Sequence, residues 1–163
     1  MEKQDKTAAR PGGYEGRKDF IMIERTRHAH TNYKMVIPFV DKAKENGGAV
    51  RFKSSGFMDL TVENLETDDC YGNPIYSITH YGEQNGDAMR DPDMTFSINR
   101  ETETIIPLSF QNDYRAFYQE VITRRNGKLM YCVSMLRELD DFLWMWLKNI
   151  KDQGFSPDRF DVI

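Results

Sequence analysis

The densest run of groups able to do chemistry is HYGEQNGDAMRDPDMTF, His80 to Phe96. Glu83, Asp87, Asp91 and Asp93 offer hard oxygen donors of the kind that hold Mg²⁺ or Ca²⁺, and His80 could add a nitrogen. Metals held by such carboxylates activate water and clamp a phosphate, the chemistry of a divalent-metal hydrolase or nuclease. The spacing is not that of an EF-hand, which places acids at alternate positions before a central glycine. Gly82, Asn85-Gly86 and Asp91-Pro92 are turn formers. The segment Gly82 to Asp93 is therefore expected to be an acidic connection between two strands. It is longer than the two to five residues usual in hairpins, and long polar connections often carry sites. Two readings follow. In the first, the segment is a recognition surface with Glu83, Asp87, Arg90, Asp91 and Asp93 as contacts. In the second, the same acids and His80 hold a divalent cation.

Two other places attract attention. His28 and His30 share a face if the segment is extended, and could ligate one zinc or iron if His80 or an acid completed the set. The plainer alternative is a pair of polar residues ahead of a helix. Trp144 lies off the apolar stripe of the last helix, among Arg137, Asp140 and Lys148. It either packs under the N-terminal segment or meets a partner, a second copy of the chain included. The sequence contains no GxSxG, no GxxxxGK[ST] and no dinucleotide fingerprint. The reading leans away from an enzyme, and no cofactor is expected beyond the cation of the second reading.

The elements that must position these groups follow from periodicity. Tyr33, Val36, Val40 and Ala43 recur at helical spacing, with Asn32 or Thr31 as cap and Gly47-Gly48 as stop. Pro38 should kink this helix or begin a shorter one. Ala49–Lys53 and Phe57–Leu65 flank Ser54-Ser55-Gly56 as a hairpin. Ile75–Tyr81 and Met94–Asn99 are two more strands, Met94, Phe96 and Ile98 of the second pointing one way, and Thr104–Phe110 is a further strand whose Pro107 requires an edge or a bulge. Tyr114–Arg125 reads as a helix closed by Asn126-Gly127. A longer helix, Ser134 to Gln153, carries the stripe Leu136, Leu139, Leu143, Trp146, Leu147 and Ile150. The expected fold is α+β: a single domain over residues 19–163, an antiparallel sheet of four or five strands, and an N-terminal helix and two C-terminal helices packed on one face. Residues 1–18, rich in glycine and charge, read as a flexible polar tail.

Charge is distributed unevenly. Residues 1–56 hold twelve Lys/Arg against seven Asp/Glu, whereas residues 57–93 hold nine acids and only Arg90. Such polarity bears on partners rather than on fold. The acidic centre disfavours a phosphate-gripping surface there. A third reading places nucleic acid on the basic N-terminal part, with Arg25, Arg27, Lys34, Lys42, Lys44, Arg51 and Lys53, and the acidic remainder opposes it. The apolar runs are too short to span a bilayer, and no secretory leader is evident. Cys70 and Cys132 are too few for a disulfide framework and lack zinc spacing, so both are expected as thiols and the cytoplasm as the compartment.

The block from Ile78 to Ile98, with HYGEQNGDAMRDPDMTFSI at its heart, resembles one in a family of uncharacterised bacterial proteins. LRELDDFLWMWLKNIKDQGF, Leu136 to Phe155, is similar to that family's closing helix. Residues 1 to about 30 lie outside the resemblance. It implies a context, accessory cargo of plasmids, phages and conjugative elements, and transfers no catalytic residue. The leading expectation is a small non-enzymatic accessory protein that binds another protein through its acidic central face.

Overall fold

The computed structural model of the protein describes residues 23–163; the tail expected over residues 1–18 lies outside them. Helix α1 spans Ala29–Glu45 and runs through Pro38, which neither begins it nor ends it. His28 occupies its N-cap without a side-chain cap bond of its own. Strands β1 (Ala49–Phe52), β2 (Leu60–Asp68), β3 (Pro74–Gln84), β4 (Asp87–Asn99) and β5 (Thr104–Asn112) follow. A 3-10 turn at Asp113–Arg115 leads to β6 (Phe117–Glu120), β7 (Ile122–Arg125) and β8 (Lys128–Tyr131). Helix α2, Val133–Asp152, and strand β9, Phe160–Val162, complete the order.

The main sheet has seven strands in the order β6-β5-β4-β3-β2-β1-β9, and β7 and β8 form a separate two-stranded sheet. All pairings are antiparallel. Register places Val50, Phe52, Leu60, Val62, Tyr76, Ile78, Met94, Phe96, Ile98 and Ile105 on one face. These join Val36 and Val40 of α1 and Leu136, Leu143 and Ile150 of α2 in one buried core. Both helices owe their position to that apolar face, because burying it is the main favourable term in folding.

The expectation of four or five strands and two C-terminal helices is corrected on both counts. The segment Tyr114–Arg125 is a short turn and two strands. Phe117, Tyr118, Val121 and Ile122 fit a helical face, but the run is rich in aromatic and β-branched residues that favour strands. The Asn126-Gly127 pair taken for a helix stop is instead the two-residue turn of the β7–β8 hairpin, both residues at positive φ, as type I′ geometry requires. Pro107 sits beside a register shift between Thr95 and Phe96, so β5 carries a bulge and is flanked by β4 and β6. Strand β9 was not anticipated; it covers the outer edge of β1, leaving that edge less open to pairing with another chain.

Candidate functional site

The segment Gly82–Asp93 is not a long connection. Asn85 (φ 53°) and Gly86 (φ 84°) make a two-residue turn, and the rest is strand. Positive φ at both central positions is what Asn-Gly accommodates. β2 pairs with β3 only as far as Leu60↔His80, and β5 with β4 only as far as Asp93↔Gln111. Tyr81 to Arg90 therefore runs past both neighbours as a two-stranded arm, projecting by about 13 Å at the usual rise per residue. Glu83, Gln84, Asn85, Gly86, Asp87 and Ala88 are exposed at its tip.

A free two-stranded ribbon is marginal in water, and the turn after β5 buttresses this one. Asp113 Oδ2 accepts from both the backbone nitrogen (2.8 Å) and Nε (2.9 Å) of Arg90. The Arg90 guanidinium holds the Asp113 carboxyl below its ordinary range. Asn112 Nδ2 donates to Asp91 Oδ1 at 2.7 Å, and Tyr114 Oη donates to the Glu83 carbonyl at 3.3 Å. Gly82 makes this docking possible: a Cβ there would collide with the Tyr114 hydroxyl and crowd the Met58 sulfur.

Below the arm, a register shift between Thr79 and Tyr81 marks a bulge opposite Asp91-Pro92, whose peptide bond is cis. Pro92 cannot donate to a ladder, and a bulge tolerates it. Asp93 is half-buried and accepts from Thr79 Oγ1 at 2.7 Å. Burial raises its carboxyl above the ordinary range against the opposing pull of that hydrogen bond and of Arg90. His80 is a core residue. Its ring lies 5.5 Å from Trp146 and 5.6 Å from Phe155, and its Nδ1 lies within hydrogen-bond distance of the Met58 and Asp59 carbonyls. Burial lowers its pKa.

The four arm carboxylates are thus not gathered. Glu83 and Asp87 face solvent, Asp91 is taken up by Asn112, and Asp93 by Thr79. Among the described residues, the group of three metal-capable side chains within mutual reach is His28, Asp140 and Asp141. Exposed apolar side chains flank the base of the arm instead. Met58 (40% exposed), Tyr114 (45%) and Phe117 (43%) lie on the face towards which Gly82 points, and Tyr81 (39%) and Tyr118 (56%) on the opposite face, with Thr79 and Asp93. Sequence reading passed over this collar because its members come from the β1–β2 connection, β3 and the β5–β6 region. The β-strand character of FYQE was the available signal.

Trp144 lies elsewhere, half-buried on α2. The His28 imidazole stacks on it at 4.5 Å and 6°, and Lys148 Nζ lies 3.4 Å from its ring centroid. A parallel ring at that distance fills one face of the indole, so the ammonium must occupy the other. His28 and His30 do not converge, because both belong to the start of α1 rather than to an extended segment. His30 Nδ1 instead lies 3.0 Å from the Glu103 carbonyl. Of the basic N-terminal residues, Lys42, Arg51 and Lys53 pair with Glu45, Asp59 and Asp161.

A family model described as a domain of unknown function (DUF6908) matches residues 31–156. No curated protein and no solved structure matches the chain. No helix among the described residues is long and apolar enough to cross a membrane.

Proposed function

This chain belongs to the DUF6908 family, and from that premise we propose that it is a protein-recognition module whose contact surface is the β3–β4 arm with the aromatic collar at its base. The observation that carries this reading is the set of exposed apolar side chains at the base of the arm, Met58, Tyr114 and Phe117 on one face and Tyr81 and Tyr118 on the other, below the exposed acids Glu83 and Asp87 of its tip. Tyr, Phe and Met are enriched at protein interfaces, and a charged rim steers encounter. Arg90, Asp91 and Asp93 serve this surface from beneath by fixing the arm's base rather than by touching the partner. The resemblance of the hairpin block to proteins of plasmids, phages and conjugative elements supports an accessory role, with a host or element protein as partner.

Photo-crosslinking in the native cell tests the reading. A photoreactive residue at Asp87 or Tyr118 is expected to capture the same discrete protein, whereas one at Lys151, exposed on α2, captures none. Absence of any adduct from the arm, or the same adducts from all three positions, overturns the proposal.

A further inference from the structure

We propose that His28, Asp140 and Asp141 form a divalent-cation site on the seam between α1 and α2, away from the arm. A ligand atom from each of the three lies within 4.8 Å of the other two. One imidazole nitrogen and two carboxylate oxygens suit the borderline Zn²⁺ or the harder Mn²⁺, with remaining positions left to water.

The charge balance favours a cation. Asp140 is 1% exposed, and a carboxylate taken that far from water needs a paired charge, a metal or neutralisation. Its neighbours supply neutral donors: Thr26 Oγ1 at 2.6 Å, the His28 backbone nitrogen at 2.9 Å and Asn32 Nδ2 at 3.3 Å. Among the described residues no Lys or Arg forms an ion pair with Asp140 or Asp141. Instead His28 Nε2 lies 3.1 Å from Asp141 Oδ1. Asp141 thus meets the His28 imidazole, while Asp140 meets the His28 backbone nitrogen.

The surroundings hold the would-be ligands in place. Thr26 and the His28 backbone bonds orient Asp140, and Trp144 stacks flat on the imidazole. Such outer contacts fix ligand orientation in metal sites. Asn32 is fully buried and helps to hold Asp140: its amide nitrogen donates to the Asp140 carbonyl and Oδ1, while its own Oδ1, at the other end of the amide, has no hydrogen-bond partner. Asp141 is the exposed member, its side chain 64% accessible against 12% for His28, which leaves an entry path.

The competing arrangement is the His28–Asp141 contact with no metal, and calorimetry separates the two. The full-length protein is titrated with Zn²⁺ and with Mn²⁺ beside Asp141→Asn and His28→Gln variants shown to be folded by circular dichroism. Saturable one-to-one binding by at least one ion is expected, weakened at least tenfold in each variant, with a metal-dependent rise in melting temperature confined to the wild type. No saturable heat at about 1 mM of either ion, or wild-type affinity in both variants, overturns the site.

Discussion

Burial keeps the Asp93 carboxyl harder to ionise in the folded chain than in the unfolded one. Such a group costs stability at neutral pH, where both states must carry the charge, and the cost fades as pH falls through its raised folded value toward the ordinary value near about 4. Asp93→Asn preserves an acceptor for Thr79 and removes the charge. It is expected to melt above the wild type at pH 7, with the difference closing as the pH approaches 4; thermal melts across that range check this. Asp140 is also buried, and three donors from the start of α1 and the segment before it meet its carboxyl group. Neither environment was visible in sequence. Asp93 looked like one of four equivalent loop acids, yet alternation along β4 and a hydroxyl on the neighbouring strand decide its state. Trp144 was visible as an off-stripe residue. Its stacking partner His28 was visible only as half of a histidine pair.

At the scale of elements, α2 shows two functional faces. Leu136, Leu143 and Ile150 bury into the core, while Arg137, Asp140, Asp141 and Trp144 form a second stripe at three- and four-residue spacing. That stripe receives Glu24, Thr26 and His28 in turn. The helix was legible from its hydrophobic period; the second stripe reads as ordinary solvated charge until the N-terminal segment is laid along it. The β3–β4 arm has few contacts beyond its own ladder and the buttress from Asp113 and Tyr114, so it should open locally before the sheet does. Gly86→Val, at φ 84°, strains the turn that closes the arm. It is expected to speed amide exchange from Tyr81 to Arg90 roughly tenfold, the effect of about 1.4 kcal/mol lost locally. The global melting temperature should remain nearly unchanged. Equal acceleration across β2 to β5 would show that the arm is not a separate unit.

Across the whole molecule, the main sheet ends in two short strands, β9 beside β1 and β6 beside β5, and short edge strands offer little ladder to another chain. Asp161→Pro removes a donor from the β1–β9 ladder and is expected to cost about 1–2 kcal/mol. It should produce concentration-dependent self-association measurable by light scattering; a monomer at all concentrations would show that the exposed β1 edge is harmless. The sequence by itself determined the two long helices, the alternating strands β2 to β4, and the distinctiveness of the acidic block, because each is written in local periodicity and turn chemistry. It did not determine that Gly82–Asp93 is a projecting ladder, that Tyr114–Arg125 is strand, or that His28 meets Asp140 and Asp141. Those depend on register and on which neighbours end early, and on contacts between residues more than a hundred positions apart. Only closing the chain around one apolar face brings them together.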